Sequence, residues 1–164
     1  MPPLPPPNSG ALRSLVRMVA GAALAVAFFV AQPLPVKGGL VPLIIRDDPG
    51  GDISARADQI RNLRQSGRRV EIKGAFCLSA CTMYLGLANL CIAPNVRFGF
   101  HGPGSAHYGI ALARAEYEHW SRVMASFYPP DLRKWFMQTG RTITVGFYEF
   151  SGRDLIKTGI AQCA

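Results

Sequence analysis

Hydrophobic and polar positions beyond the first forty residues alternate with the periods of short strands and longer helices. Residues 40–45 are continuously apolar, which is typical of a strand buried on both faces. A Pro-Gly-Gly turn follows, and Asp52 or Ser54 then caps an amphipathic helix that ends at Gly67. Residues 69–73 alternate as a second strand. This order predicts a right-handed βαβ unit whose two strands deliver their C-terminal ends to the same edge of a parallel sheet.

The rest of the pattern continues the alternation of strands and helices. Its predicted elements are, in chain order, a buried helix from Ser79, strands at 91–93 and 96–100, a helix at 110–126, a helix from an Asp131 cap to Gly140, a strand at 143–145 and a helix at 151–161. Together the elements predict one α/β domain over residues 40–164, with a parallel sheet flanked by helices.

The N-terminal pattern is different. Residues 1–12 are Pro-rich and polar and are predicted to be disordered. Two arginines then precede an apolar run at 19–31, which has the charge and length of a secretory signal and is shorter than the ~20 residues of a typical spanning helix. We therefore predict that residues 13–32 form a hydrophobic export helix, either a cleaved signal peptide or an uncleaved anchor in the membrane. An internal core helix is the less favoured alternative.

Composition agrees with one folded domain. The chain has 164 residues, and its apolar content of 49% is enough to fill a core. The net charge of +8 raises the question of nucleic acid. The arginines, however, recur before the apolar run and along the first helix, and no aromatic stacking platform accompanies them. We therefore expect no nucleic-acid partner.

Four cysteines, at positions 77, 81, 91 and 163, become disulfide candidates if the domain is exported. Four cysteines allow three pairings. Cys77 and Cys81 bracket Ser79, and a bridge between them would rigidify the turn that presents the serine; the alternative is that both are simply small buried residues. Cys91 and Cys163 have no partners at metal-finger spacing, so no metal site is expected.

Ser79 and His101 are the candidate chemical groups. Ser79 stands where a strand pattern changes to a helix pattern, and His101 ends a later apolar strand beside a glycine-rich loop. Acyl transfer needs a nucleophile, a base and backbone N–H groups aimed at the developing oxyanion. The amide of Ala80, at a helix N-terminus, is one such donor. An N-cap serine and a histidine bonded to backbone are the alternative interpretations, and His107 and His119 are weaker candidates for the base.

The order of these motifs resembles that of the ClpP/crotonase superfamily. The motifs are Pro49-Gly50-Gly51, then Gly74 through Ser79-Ala80, then Phe98-Gly99-Phe100-His101. Cys77-x-Ser79-Ala80-Cys81-Thr82 with the later Gly-Phe-His is most similar to the ClpP-like periplasmic proteins. The resemblance covers roughly residues 40–105.

The resemblance implies a fold of repeated ββα units, an oligomer of identical chains and a location in the periplasm or on a membrane facing it. It also implies Ser79 as nucleophile, His101 as base, and the amides of Gly51 and Ala80 as the oxyanion hole. It implies no cofactor. A peptide or protein substrate would follow from the peptidases of that family.

Two departures from the family pattern affect this reading. The position of the acidic third member falls near Phe147, where no carboxylate stands; Glu149, two residues on, and Asp131 are the candidate replacements. Only a short linker separates the export segment from the first strand, so the sheet is either incomplete or completed by another subunit.

The sequence therefore predicts an exported serine hydrolase, with a peptidase as the favoured class. The alternative is a catalytically inactive binding or scaffold domain of the same fold. A crotonase-type acyl-CoA enzyme is disfavoured because an exported domain would meet little acyl-CoA.

Overall fold

Residues 40–105 and 110–164 are described by the computed structural model of this protein, and all belong to one unit, Lys37–Ala164. The predicted tail at 1–12 and export segment at 13–32 lie outside the described residues. Within the described ranges, the helices are all too short or too polar to cross a bilayer. The predicted α/β class is confirmed, with helices around two small sheets.

The elements are mostly shorter than the sequence pattern suggests. The strands are β1 (Leu43–Ile45), β2 (Val70–Ile72), β3 (Phe76–Leu78), β4 (Leu90–Ile92), β5 (Arg97–Phe100) and β6 (Tyr148–Ser151). The α-helices are α1 (Ile53–Ser66), α2 (Arg114–Ser126), α3 (Pro130–Gln138) and α4 (Gly152–Lys157). Two 3₁₀ helices span Ser79–Gly86 and Gly140–Thr142.

The strands form two three-stranded sheets rather than one parallel sheet. The first has the order β1-β2-β4 and is parallel throughout, so the predicted β1-α1-β2 unit is present. The second has the order β3-β5-β6, with β3 parallel and β6 antiparallel to β5. Asp52 is the N-cap of α1, since its side chain accepts a 2.7 Å hydrogen bond from the Ala55 amide.

The strand that leads to Ser79 is β3 of the second sheet, not a continuation of β2. Gly74 separates the two strands at φ 116°. A Cβ at that position would lie 2.9 Å from Asp47 Oδ1, and the same Asp47 oxygen accepts a hydrogen bond of 2.6 Å from the Ala75 amide. The chain therefore bends there and enters a new sheet. A parallel bridge between Asp48 and Cys77 still keeps the glycine turn beside the end of β3.

Three other predictions from the pattern are wrong in detail. The helix expected from residue 110 begins at Arg114. Asp131 lies inside the first turn of α3, where Pro129 is the N-cap and Pro130 takes the first position, which suits a residue without an N–H. Residues 143–145 are not a strand, because the Ile143 carbonyl accepts its hydrogen bond from the Gly102 amide instead of a sheet partner.

Aromatic packing fixes the end of β5, which precedes His101. Phe100 is fully buried. Its ring meets the edges or faces of Tyr128, Trp135 and Phe150 at centroid distances of 5.8, 5.3 and 5.8 Å. Such pairs add roughly 0.5–1.5 kcal/mol each beyond the apolar area that they bury, so the direction of this strand end is strongly determined.

Both pairs of cysteines form disulfides, Cys77–Cys81 and Cys91–Cys163. Within the described residues there are no free cysteines. Disulfides of this kind are consistent with an extracellular or periplasmic location. The second bridge joins positions 72 residues apart and holds the C-terminal segment against β4, where Ile92 also pairs with Gln162.

Replacing both Cys91 and Cys163 by Ala should lower the free energy of unfolding by about 4 kcal/mol, because a bridge across a loop of this length strongly restricts the unfolded chain. Urea unfolding measures the change. The single variant Cys91→Ala is the control, since it also loses the bridge and should agree with the double variant within about 1 kcal/mol. A loss below about 1 kcal/mol in the double variant would contradict the prediction.

Candidate active site

The hydroxyl of Ser79 and the imidazole of His101 form a hydrogen bond of 2.8 Å between Oγ and Nε2. Both side chains are partly buried. The pairing of β3 with β5 explains the contact, because Leu78 lies opposite Gly99 and the two functional residues follow where these strands end. With Nε2 as the acceptor from the serine, a neutral ring carries its proton on Nδ1.

Ser79 has an unusual backbone conformation. Its φ is 54°, in the left-handed region that side chains other than those of Gly, Asn and Asp seldom adopt. Such a conformation costs on the order of 1–3 kcal/mol and persists only where neighbours enforce it. Ser79 is the first residue of the 3₁₀ helix, and its hydroxyl bonds to His101 instead of capping that helix.

Two sets of neighbours hold the Ser79 backbone. The Ser79 carbonyl accepts a hydrogen bond of 2.7 Å from the Thr82 hydroxyl, which lies 2.7 Å from the hydroxyl of Tyr128. Thr82 and Tyr128 are buried, and burial raises the pKa of the Tyr128 hydroxyl, which therefore keeps its proton. Because the one Thr82 hydroxyl proton goes to the Ser79 carbonyl, Tyr128 is the donor in the bond to Thr82. The disulfide between Cys77 and Cys81 closes the chain around the serine from two residues on either side.

The glycine turn packs directly on this serine. Gly50 and Gly51 have φ values of 106° and 116°. A Cβ on Gly50 would lie 2.6 Å from Ser79 Cβ and 3.1 Å from the Ala80 nitrogen, so only a glycine allows this approach. Within residues 40–105 and 110–164, neither the Gly51 nor the Ala80 amide donates a hydrogen bond. Gly51 lines the pocket beside Ser79, while Ala80, the residue after the serine, is fully buried.

The environment of His101 favours the neutral imidazole. Burial lowers the pKa of His101 below its usual 6.5, while a hydrogen bond with the Gly102 backbone acts in the opposite direction. The ring of Phe147 meets the imidazole edge-on at 5.1 Å between centroids. Phe147 is the residue near which the motif resemblance predicts an acid.

Neither candidate for the third member lies with His101. Glu149, on β6, is exposed and pairs with Arg97 at 3.4 Å. Asp131 is exposed on α3 and lines a different cavity, of about 650 Å³. Among the described residues, no carboxylate influences the pKa of His101. The site within the described ranges is therefore a serine–histidine dyad and not a triad.

A pocket of about 530 Å³ opens beside the dyad. It is lined by Gly51, Asp52, Ile53, Ser79, His101, Gly104, Ser105, Leu112 and Trp120. The sequence pattern missed Leu112 and assigned Trp120 to ordinary helix packing, since nothing in one sequence shows which face of α2 meets a loop after β5. His119 is exposed and stacks edge-on against Trp120 at 4.8 Å, and His107 lies outside the described residues.

One group of potential metal ligands occurs in the described part of the chain, Glu71 with Cys91 and Cys163. The two sulfurs are joined to each other as a disulfide, so they offer no thiolate to a cation. The group is also distinct from the residues that line the serine pocket.

Replacing Gly50 by Ala should destabilise the fold by roughly 2 kcal/mol more than replacing Gly159 by Ala. Both glycines have positive φ, at 106° and 101°, so both variants place an alanine in a conformation that L side chains rarely adopt. Only the alanine at 50 meets other atoms, while the one at 159 has nothing within 4 Å. Urea unfolding of the two variants checks the difference, and equal losses would show that the turn is not packed on Ser79.

The pKa of His101 should lie below 6.5 and contribute to acid sensitivity. The unfolded chain takes up this proton first as the pH falls. The contribution of His101 to the free energy of unfolding is therefore fully present above about pH 6.5 and is lost as the pH falls toward the pKa of the folded state. An NMR titration of the imidazole resonances measures the pKa directly. Urea unfolding at several pH values should show that the free energy of unfolding falls less on acidification in His101→Gln than in wild type. A titration midpoint above 6.5 would contradict the prediction that the pKa of His101 is lowered.

Comparison with known proteins gives no indication of function beyond the geometry of the site. No protein-family model matches the chain, and a search of the curated proteins finds no match. The relationship to the ClpP/crotonase superfamily stays a prediction from the motifs.

Proposed function

We propose that this protein is an exported serine hydrolase of ClpP-like architecture that cleaves acyl bonds, with a peptide or protein as its substrate. The observation that carries the proposal is the 2.8 Å hydrogen bond between Ser79 Oγ and His101 Nε2, next to two backbone amides without acceptors in the described ranges. An N-cap serine or a histidine bonded only to backbone would require neither arrangement.

The proposed reaction begins when Ser79 Oγ attacks the acyl carbon while His101 Nε2 takes the hydroxyl proton. The carbonyl oxygen becomes negative and is stabilised by the amides of Gly51 and Ala80. When the bond to the leaving group breaks, the imidazolium returns its proton to the leaving amine or alcohol. Water then attacks the acyl-serine by the reverse use of the same groups.

The properties of His101 suit a base at neutral pH. Because burial lowers its pKa, the imidazole is neutral and can accept the serine proton. The wall formed by Ile53, Leu112 and Trp120 suits an apolar group on the substrate.

The exported location rests on two observations of different kinds. The apolar run at 19–31 has the character of a signal peptide or anchor. Both cysteine pairs are oxidised, which is rare in reducing compartments. A homo-oligomer also belongs to the proposal: β1 is an edge strand of the first sheet, and Leu40, Val41 and Ile44 around it are exposed.

One observation favours a second candidate function, an inactive binding domain. The ring of Phe147 contacts His101, and no carboxylate among the described residues influences its pKa. Loss of the orienting acid reduces turnover by about 10⁴ in serine proteases with a triad. A domain that keeps the pocket but lacks turnover would bind a peptide without cleaving it.

A fluorophosphonate probe should label the wild-type protein at Ser79, and Ser79→Ala should remove the label. His101→Ala should slow labelling by about 10²–10⁴-fold, because the hydroxyl loses its base. Ser66→Ala, which changes an exposed serine on α1, is the control and should label at the wild-type rate. Labelled peptides identified by mass spectrometry locate the modified residue.

Two results would decide against the hydrolase. Well-folded wild-type protein that takes up no label would favour the inactive binding domain. Labelling that survives in Ser79→Ala would show that another residue reacts.

A further inference from the structure

A largely buried ion pair contacts the glycine turn. Arg56, in the first turns of α1, places Nη2 at 2.7 Å from Asp48 Oδ2 and 3.0 Å from Asp48 Oδ1. The two side chains are only 11% and 15% exposed. A pair this well buried needs further hydrogen bonds to offset the loss of hydration, and those bonds go to the turn.

Both polar groups of the Gly50 residue are held by this pair. Asp48 Oδ1 accepts a hydrogen bond of 2.8 Å from the Gly50 amide, and Arg56 Nη2 donates one of 3.1 Å to the Gly50 carbonyl. That carbonyl belongs to the same peptide unit as the Gly51 amide. Arg56 therefore fixes the plane of the peptide whose N–H is proposed to bind the oxyanion.

The same arginine also reaches the element that carries the second donor. Its Nη1 donates to the hydroxyl of Tyr84 and, at 3.1 Å, to Gln59 Oε1. The guanidinium lies 4.7 Å from the centre of the Tyr84 ring. Tyr84 is fully buried in the 3₁₀ helix that begins at Ser79 and contains Ala80. Arg56 thus bridges the glycine turn and the serine helix.

We infer that Arg56, together with Asp48, is a positioning residue that sets the relative placement of the Gly51 and Ala80 amides. The inference rests on the proposed function for its catalytic meaning. Arg56 lines none of the serine pocket and bonds to neither Ser79 nor His101, so it acts through the backbone of the turn. Its effect should therefore appear where the oxyanion forms, and not in substrate binding or in the titration of the base.

The functional test uses Arg56→Gln in the full chain, with the fluorophosphonate as probe. Charge develops on the phosphoryl oxygen during the reaction, so a misplaced amide should lower the maximal labelling rate by about 10²-fold. The probe concentration that gives the half-maximal labelling rate should change less than about twofold. The acid limb of the pH profile of the labelling rate should have the same midpoint as in wild type. Arg56→Lys should recover part of the rate, because a single ammonium can reach only some of the partners.

The matched control is Arg61→Gln. Arg61 lies on the same helix, is 53% exposed and pairs with Asp58. It should label at the wild-type rate. If Arg56→Gln does not fold, Tyr84→Phe replaces it, since that variant keeps the Arg56–Asp48 pair and removes one anchor; its maximal rate should fall several-fold with the half-maximal concentration unchanged.

A second measurement does not depend on reactivity. In protein labelled with ¹⁵N-glycine, the Gly50 and Gly51 amide resonances should shift or broaden in Arg56→Gln and stay unchanged in Arg61→Gln. A folded Arg56→Gln variant with unchanged resonances, or with the wild-type labelling rate, would overturn the inference. If wild type takes up no label, the proposed function fails, and the resonances alone decide whether Arg56 holds the turn.

Discussion

The parallel pairing of β3 with β5 is the constraint on which the rest of the site depends. The register sets Leu78 opposite Gly99, and the serine and histidine leave the sheet from these neighbouring ends. Phe100 anchors that register, because a slip of one residue would turn this fully buried ring toward solvent. The 2.8 Å contact of the dyad is therefore a consequence of sheet packing more than of any local preference of Ser79 or His101.

The serine is held in a strained conformation by elements that arrive from three directions. The disulfide fixes its own segment, the Thr82–Tyr128 pair reaches it from the end of α2, and the glycine turn covers its Cβ. A strained residue is expected where a reactive group must project from a sharp turn. The strain is tolerable because Thr82 and Tyr128 are buried and the cysteines on either side of the serine are covalently joined.

Charge is distributed unevenly around the dyad. The aromatic ring of Phe147 contacts the imidazole of His101. The ion pair of Arg56 and Asp48 instead bonds to the glycine turn, which carries one of the proposed oxyanion donors. The imidazole is thus governed by burial, which keeps it neutral, while the backbone amides are governed by a polar network. In the proposed reaction, most of the stabilisation would come from the amides, which is the usual pattern in acyl transfer.

Much of this could be predicted from the sequence alone, because periodicity and turn chemistry are local. The apolar run before the Pro-Gly-Gly, the Asp52 cap and the Cys-x-Ser-x-Cys spacing predicted β1, α1 and the position of the serine. Local signals could not show that Gly74 sends the chain into a second sheet, or that Ile143 bonds to Gly102 instead of joining a strand. The roles of Arg56, Phe147 and Trp120 were also hidden, since an arginine or an aromatic on a helix looks the same whether it meets solvent, core or a distant turn. The sequence by itself thus determined β1, α1, β2 and the candidate nucleophile. Only the tertiary structure decided which side chains surround them, because those contacts join residues far apart in the chain.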